Sequence, residues 1–320
     1  MTERLTAAVV VCTASAERAE LLRACVRSLI AGTRRPDEVL IVVDGNPALE
    51  ASVAAWLPQD ARLLRTECRG ISEARNVGLS AASSEVVAFV DDDATVERGW
   101  LAKLMEPFEQ SCHVLGAGGA VVPEWEADRR WLPDDLLWTV GCTYRGHRED
   151  PGPVRNPIGC NMAFRRHELV AAGGFATEFG KRGNALVLCD ETELSLRLTH
   201  AHGPGRIRHV PAARVHHFVP ASRVGWKVLA LRCVSEGLSK GRLQQMYPGA
   251  ALSSERGYLR RLVTDAIPRL FLDGLLERHV RSVQGAAAIL VSLVVTGGAF
   301  LAGAATAERR QSVPRRGGRT

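Results

Sequence analysis

The chain has 320 residues, a formal net charge of +6 and a hydrophobic fraction of 46%. These values predict one large domain or two small ones with a sizeable core. Arginines crowd the last dozen residues, which indicates a basic tail more than a nucleic-acid-binding domain, so no nucleic acid is expected as a partner. The eight cysteines include no CxxC pair, and this pattern favours reduced thiols over a zinc site or a disulfide framework.

Short apolar runs in the first third of the chain predict buried strands at residues 7–11, 39–43 and 86–90. A helical stripe over residues 20–30 separates the first two runs and ends near Gly32. This alternation of strand and helix is typical of a parallel α/β sheet, in which ligands bind beyond the carboxyl ends of the strands. The residues that follow the strands are therefore candidates for one shared site: Thr13, Asp44 and Asp91 to Asp93.

Three consecutive aspartates, Asp91 to Asp93, follow the third apolar run. Their carboxylates repel one another unless a cation or hydrogen-bond donors offset the charge. Alternate residues of an extended segment point the same way, so Asp91 and Asp93 can face one ion. Mg²⁺ and Mn²⁺ take carboxylate oxygens and commonly share them with substrate phosphates. The alternative is a solvated acidic turn that caps a helix beginning near Val96.

Six motifs, in this order and spacing, resemble the family 2 glycosyltransferases with a GT-A fold: VVVCT, VVDG, GISEARNVGL, VAFVDDD, GCNMAFRRHELVAAGGF and CDETELSLRL. The resemblance covers roughly residues 6–218. It implies an α/β architecture with a Rossmann-like mixed sheet flanked by helices. It also implies an inverting, metal-dependent transfer of a sugar, expected to be a hexose, from a nucleoside-diphosphate sugar to a hydroxyl acceptor. A UDP-sugar is the favoured donor.

The resemblance gives roles to individual residues near the donor. Thr13 and Asp44 would lie beside the nucleotide base and ribose, and Arg75 and Asn76 near the diphosphate. The full set of predicted donor-binding residues is Thr13, Asp44, Arg75, Asn76, Asp91, Asp92 and Asn161. The family often has two carboxylates after the second strand, whereas Asp44 is followed by Gly45 and Asn46.

Metal binding is also implied by the resemblance. Asp91 and Asp93 would form the Asp-x-Asp pair, with Asp93 as the best ligand for Mn²⁺ or Mg²⁺. A histidine that approaches the metal or diphosphate is common in such enzymes, and His217 matches its position better than His216. A structural role for this histidine is the alternative.

A second acidic cluster lies at the start of a predicted helix. The helix is expected to pack on the core, as indicated by the apolar residues Val187, Leu188, Leu194, Leu196 and Leu198. Carboxylates in a first helical turn complement the helix dipole, which is one interpretation of Asp190, Glu191 and Glu193. The other is catalytic, because inverting transfer needs a base for the acceptor hydroxyl. The family writes this motif Glu-Asp and uses its aspartate. Here the order is reversed, so Glu191 occupies the base position with Asp190 beside it.

Three further features lie between these motifs. Residues 159–175 predict a strand, a short helix and a glycine turn, with Phe164 and Phe175 in the core. Gly116 to Gly119 are predicted to form a flexible run at a strand end and not a phosphate loop, since no Lys-Ser or Lys-Thr follows. A candidate platform for the acceptor is formed by Trp125, Trp131 and Trp138, because aromatic faces suit sugar rings and apolar chains. Core packing is the alternative for each of them.

Beyond Pro220 the pattern predicts helices. The string from Arg232 to Lys240 is similar to an Arg-Cys…Glu-Gly-x-Ser-Lys element of lipid-linked-sugar members of the family. Arg232 and Lys240 could therefore bind a phosphate. A solvated helix face explains the same residues equally well.

Residues 285–305 carry no charge, and 21 residues suffice to cross a hydrocarbon core of about 30 Å as a helix. A buried core helix is the alternative. The arginine-rich tail argues for a cytoplasmic tail, and the sugar nucleotides that the resemblance implies are made in the cytoplasm. Both conditions hold if the segment re-enters the membrane or lies in its interface, whereas a single span would break one of them. The expected location is the cytoplasmic face of the cell membrane.

These observations divide the chain into five predicted regions: 1–125, the nucleotide-sugar-binding half of a GT-A domain; 126–220, its acceptor-binding half; 221–284, a helical extension; 285–305, a hydrophobic membrane-associated segment; and 306–320, a basic tail. The expected acceptor is lipid-linked or a growing envelope glycan, as in polysaccharide biosynthesis. The competing class is a scaffold protein at the membrane that has the same fold without catalysis. A nucleotidyltransferase would be expected to carry a Gly-rich, Lys-containing loop at residues 12–18, and this chain does not.

Overall fold

A computed structural model of the protein describes residues 4–67, 70–129, 131–180, 188–276 and 279–312, with side chains described as far as residue 306. The chain divides into two compact units. The amino-terminal unit comprises Met1–Ala185 and Asp190–Val224, and the carboxyl-terminal unit comprises Leu186–Cys189 and Gly225–Thr320. Val187 and the tail after residue 312, which carry some of the sequence predictions, lie outside the described residues.

The described part of the amino-terminal unit contains one mixed sheet of nine strands. Eight of them lie in the order β3-β2-β1-β4-β8-β6-β9-β5, and β7 pairs with β9. The strands are β1 (Ala7–Thr13), β2 (Glu38–Asp44), β3 (Ala61–Thr66), β4 (Val86–Asp91), β5 (Ala94–Val96), β6 (Gly116–Trp125), β7 (Gly152–Pro153), β8 (Asn161–Arg165) and β9 (Ile207–Val219).

The first four strands in space are parallel, and three of them, β1, β2 and β4, are the strands that the apolar runs predicted. The edge strand β3 was not predicted. β1 pairs with both β2 and β4, so that Cys12 lies opposite Val42 on one side and Asp91 on the other. β4 then pairs antiparallel with β8, which makes the sheet mixed. Val9 and Ala88 are buried on one face of the sheet, and Val10 and Phe89 are buried on the other. Burial of both faces explains why these strands are continuous apolar runs.

Helices cover the sheet where the sequence has apolar residues at helical spacing. In the first helix, for example, Leu22, Val26 and Leu29 form the buried stripe. The helices of this unit are α1 (Ala19–Ile30), α2 (Pro47–Ala54), α3 (Ile71–Ala81), α4 (Trp100–Gln110), α5 (Arg166–Ala171) and α6 (Asp190–His202). Single 3₁₀ segments lie at Ala16–Arg18, Asp134–Val140 and Ala221–Arg223.

The core of this unit lies between the sheet and its helices. Phe164 and Phe175 are buried in it, as predicted, and the ring of Phe175 meets Phe89 edge to face at 5.1 Å. Leu194 and Leu198 of α6 pack into the same cluster. Strand β8 and helix α6 are thus anchored to the hydrophobic core.

The prediction for Gly116 to Gly119 was wrong. These residues begin β6, where all four pair with β9 and the first three also pair with β8. A Cβ on Gly119 would collide with the carbonyl oxygen of Ala213 on β9. The glycines therefore permit close approach of neighbouring backbones inside the sheet and do not make a flexible end.

The carboxyl-terminal unit is helical in its described part. Its helices are α7 (Trp226–Met246), α8 (Glu255–Arg261), α9 (Ile267–Leu276) and α10 (Val280–Ser312), with a π-helical turn at Leu262–Ala266 between α8 and α9. The segment Val280–Thr306 is long and apolar enough, by length and composition, to cross a membrane. The predicted segment 285–305 lies inside α10.

Candidate active site

The carboxyl ends of β1, β2 and β4 bring the predicted residues to one edge of the sheet. Thr13 ends β1, Asp44 ends β2 and Asp91 ends β4. Asp44 accepts a hydrogen bond through Oδ2 from the backbone N–H of Gly70 at 2.7 Å, just before α3. The edge is therefore tied to the amino terminus of a helix, where anionic groups are electrostatically favoured.

Asp92 is a buried residue that organises this edge. Its Oδ2 accepts a hydrogen bond from the hydroxyl of Thr13 at 2.6 Å, and its Oδ1 lies 2.5 Å from Nη1 of Arg18. Burial raises the pKa of Asp92 to about 6, against the opposing charge of Arg18. Thr13 and Asp92 are both almost fully buried, and their hydrogen bond occupies the hydroxyl of Thr13 and one carboxylate oxygen of Asp92. This geometry favours a supporting role for the pair over direct contact with a donor.

Asp93 lies at the centre of a charged cluster. Its Oδ1 is 3.2 Å from Nε2 of His217, and its Oδ2 is 3.2 Å from both Arg18 and Arg223. Burial alone would raise the pKa of Asp93, but the hydrogen bond with His217 and the neighbouring positive charges lower it to about 2. The carboxylate is therefore ionised at neutral pH.

β5 is the element that brings His217 to this cluster. It pairs antiparallel with β9 and sets Ala94 opposite His217, one residue from Asp93. His216 lies on the other side of the strand, half-exposed, with its Nε2 3.4 Å from Glu97. The strand alternation thus separates the two histidines and selects His217 for the site.

Asp91, Asp93 and His217 have a geometry that fits a metal ion. One ligand atom from each lies within 4.8 Å of the others. Two carboxylate oxygens and an imidazole nitrogen suit Mn²⁺, and the oxygens suit Mg²⁺ as well. The acidic residues are not the cap of a following helix, because β5 comes next and α4 begins only at Trp100.

Arg75 connects this cluster to the second acidic motif. Its Nη1 lies 2.5 Å from Asp190 and its Nη2 lies 3.6 Å from Asp91, and it donates a hydrogen bond to the carbonyl of Gly159. Burial would lower the pKa of Arg75, but Asp190 and Asp91 raise it overall. The guanidinium therefore stays charged, and Asp190 is neutralised by a buried ion pair.

Glu191 differs from Asp190 in its surroundings. It is half-buried, and its Oε1 accepts a hydrogen bond from Thr192 at 3.2 Å. A Cβ on Gly159 would be 3.7 Å from Oε2 of Glu191 and 3.4 Å from Nη2 of Arg75. Both groups thus face the position where Gly159 has no side chain. Glu191 reaches this space, whereas Asp190 points into its ion pair with Arg75.

Two predicted donor contacts are occupied by the protein itself. Asn161 has no solvent exposure; its amide donates to the carbonyls of Ala120 and Ala213 and accepts from the indole of Trp100. Asn76 exchanges two hydrogen bonds with the backbone of Phe175. These contacts favour structural roles for both asparagines over the predicted contacts with the donor.

The remaining predicted contacts, with an acceptor and with a phosphate, lie at two places. Trp125 ends β6 and is half-buried, so its proposed contact with an acceptor stays a prediction. Lys240 lies on α7 in the other unit, where its ammonium is 2.8 Å from Glu236 and 2.6 Å from Glu255. Arg232 lies one helical turn before Glu236. The acidic partners favour a structural role for Lys240 over the predicted phosphate contact.

Arg18 and Arg223 were not among the predicted site residues. Both follow strands that end at this edge, Arg18 after β1 and Arg223 after β9. A usable signal existed, because three adjacent carboxylates need positive charge nearby. Cys12 also lies here, but burial raises the pKa of its thiol to about 12, so it remains protonated and is no nucleophile at neutral pH.

Comparison with known sequences supports an enzymatic interpretation of this geometry. The sequence model of glycosyl transferase family 2 matches residues 8–169. The chain is 33% identical over 306 residues to a glucosyl-dolichyl phosphate glucuronosyltransferase of Haloferax volcanii, covering 93% of this chain and 96% of that protein. It is 28% identical over 237 residues to the succinoglycan biosynthesis protein ExoM of Rhizobium meliloti, covering 71% of each.

Solved structures share the architecture. A mannosyltransferase of Pyrobaculum calidifontis in complex with GDP-Man and Mn²⁺ superposes with a TM-score of 0.59 at 18% identity, over 92% of this chain and 88% of that one. GalNAc-T7 with UDP, GalNAc and Mn²⁺ gives 0.53 at 16% identity, over 80% of this chain and 54% of that one. At such identities the likeness is one of fold, and it confirms the predicted GT-A architecture.

Proposed function

Because this chain belongs to glycosyl transferase family 2, we propose that it transfers a sugar from a nucleoside-diphosphate sugar to a hydroxyl acceptor with inversion. The observation that carries the proposal is the arrangement at the sheet edge. Asp91, Asp93 and His217 converge within 4.8 Å, and Arg75 lies between Asp91 and the acidic start of α6. A diphosphate and an acceptor hydroxyl could meet between these two groups.

The metal site belongs to this proposal. Asp91, Asp93 and His217 would hold Mn²⁺ or Mg²⁺, and the two solved structures of similar fold, both in complex with Mn²⁺, support this choice. The ion would supply positive charge beside the leaving diphosphate. Arg75 stays charged close to Asp91, so it can contact the same phosphates. A UDP-sugar is the favoured donor.

Glu191 is the residue that we assign as the base. Inversion requires a carboxylate that removes the acceptor proton on the face opposite the leaving group. Glu191 faces the space over Gly159, while Asp190 is tied to Arg75 at 2.5 Å. Asp190 then acts by fixing the guanidinium. The match to a protein named for a dolichyl phosphate substrate favours a lipid-linked acceptor, handled at the cytoplasmic face of the membrane.

The test has two parts. A panel of UDP- and GDP-sugars is offered with Mn²⁺ and a lipid-phosphate-linked sugar, and release of nucleoside diphosphate and product stereochemistry are measured. Glu191→Gln should lower turnover by roughly 10²-fold or more at unchanged thermal stability. Asp190→Asn should lower thermal stability because it leaves Arg75 without its nearest counter-charge. If only the Asp190 variant loses turnover, the base is Asp190 and not Glu191. Release from no donor would favour the scaffold protein.

A further inference from the structure

Large apolar side chains are exposed mainly in the carboxyl-terminal unit. Apart from Val170, all exposed large hydrophobic residues in the described part of the chain belong to this unit. Ten of them lie on α9 and α10, and we call these ten the apolar face: Phe271, Leu272, Leu275, Leu276, Val280, Val283, Leu290, Val291, Val294 and Leu301. Exposed apolar surface of this extent marks an interaction site.

Helix geometry places the α10 members on one side. At about 100° per residue, Val283, Leu290, Val294 and Leu301 fall within one narrow stripe. The stripe runs from Val283 to Leu301, which is roughly 27 Å at 1.5 Å per residue. The residues that are buried, such as Ala288, Ile289 and Ser292, lie on the opposite side.

The buried side of α10 is packed against α7 through small residues. A Cβ on Gly237 would collide with the carbonyl of Thr296, and one on Gly241 with the carbonyl of Phe300. A Cβ on Gly303 of α10 would likewise collide with the carbonyl of Leu238 on α7. The two backbones therefore lie in close contact, with residues 237–241 of α7 packed against residues 296–303 of α10.

That part of α7 is charged. Lys240 lies between Gly237 and Gly241, and its ammonium contacts Glu236 at 2.8 Å and Glu255 of α8 at 2.6 Å. Burial would raise the pKa of Glu236, but Lys240 lowers it overall, so the carboxylate remains ionised. If α10 crossed a bilayer, Thr296 would lie close to the midplane, and these three charges with it. Charged groups at that depth are strongly disfavoured.

α9 extends the apolar face. Phe271, Leu272, Leu275 and Leu276 share one side of this helix, and the last two are 60% and 80% exposed. Leu270 and Gly274 are buried on the other side, where a Cβ on Gly274 would collide with Val283 of α10. The two helices therefore pack together while both leave large apolar side chains uncovered.

We infer that α9 and α10 lie in the interface of a lipid bilayer, with the apolar face inserted and with neither helix crossing the membrane. The inference rests on the membrane location in the proposed function and names the surface that produces it. Arg281 precedes the uncharged segment and Arg309 and Arg310 follow it, so that both ends can meet anionic head groups on one side. A helix that lies in the plane of the membrane also leaves the basic tail on the same side of the membrane as the amino-terminal unit.

Vesicle flotation tests the surface. Full-length protein is mixed with phosphatidylcholine vesicles with and without phosphatidylglycerol. Phe271→Glu with Leu275→Glu, and separately Leu290→Glu with Val294→Glu, should each lower the partition coefficient at least roughly tenfold, since two inserted apolar side chains are lost. Val170→Glu, at an exposed position in the other unit, should float like the wild type. Circular dichroism confirms that each variant is folded, as expected for exposed positions.

A labelling experiment in sealed membranes tests the topology. Cys112 is exposed in the amino-terminal unit and reports its side of the membrane. A Thr320→Cys substitution reports the tail, and a membrane-impermeant maleimide is applied to inside-out and right-side-out vesicles, with labelled sites read by mass spectrometry. An in-plane α10 requires both cysteines to react in the same preparation.

Each outcome has one meaning. Labelling of the two cysteines in opposite preparations would show that α10 crosses, and the inference would be wrong while membrane location stood. Flotation unaffected by the α9 pair would remove α9 from the surface. Wild-type protein that does not float, but forms a dimer abolished by the same variants, would make the apolar face a protein interface. Sugar transfer to a water-soluble acceptor, measured in parallel, reports on the enzymatic proposal independently.

Discussion

Arg223 forms an ion pair with the carboxylate of Asp93, which a metal ion would also bind. Removal of Arg223 should therefore increase the affinity for the metal. Its guanidinium lies 3.2 Å from Oδ2 of Asp93, and its side chain is 34% exposed. At an effective dielectric constant of about 20, charges at that distance attract by about 5 kcal/mol. Screening by solvent reduces this to roughly 1–2 kcal/mol. Arg223→Gln should therefore raise Mn²⁺ affinity roughly 5- to 30-fold in the absence of nucleotide.

Isothermal titration of Mn²⁺ into nucleotide-free protein measures this effect. Arg214→Gln is the matched control, because Arg214 is exposed on β9, three residues before His217. The metal-free Arg223 variant should also unfold at a lower temperature than the control, since Asp93 has lost a counter-charge, and Mn²⁺ should recover the difference. Unchanged or weaker Mn²⁺ binding would refute the view that Arg223 competes with the ion. If the wild type binds no Mn²⁺ at all, the metal site itself is wrong.

Three further outcomes are expected. Asp93→Ala should abolish Mn²⁺ binding while circular dichroism stays unchanged, and donor binding that persists in EDTA would contradict a metal role. Gly119→Ala should destabilise the protein by about 3 kcal/mol or more in a denaturant titration, through collision with Ala213, whereas Gly99→Ala meets no atom within 4 Å and should be neutral. For Glu38, burial would raise the pKa, but hydrogen bonds from the two serines after α3 lower it below 4.5. Its stabilisation is present above the unfolded-state pKa and is lost as the pH falls through the lowered folded-state pKa, so Glu38→Gln should cost about 1 kcal/mol at pH 7 and progressively less on acidification.

The sequence by itself determined the parts of this protein that depend on local pattern. Continuous apolar runs identified β1, β2 and β4, and the residues directly after them, including Asp91 and Asp93, had to meet at one edge because parallel strands end together. The sequence also predicted the acidic first turn of α6 and the strand that contains Phe164, because each depends on residues close in the chain.

Only the tertiary structure decided which partners those residues have. The pairing of β5 with β9 brings His217 to Asp93 across more than a hundred residues, and the same edge gathers Arg18 and Arg223 as counter-charges. Hydrogen bonding within the core occupied Asn161. Close packing of α7 on α10 determined that the ion pair of Lys240 and Glu236 lies at the level of the middle of α10. Such contacts follow from sheet register and helix packing, which join residues distant in sequence, and no local pattern of side chains encodes them.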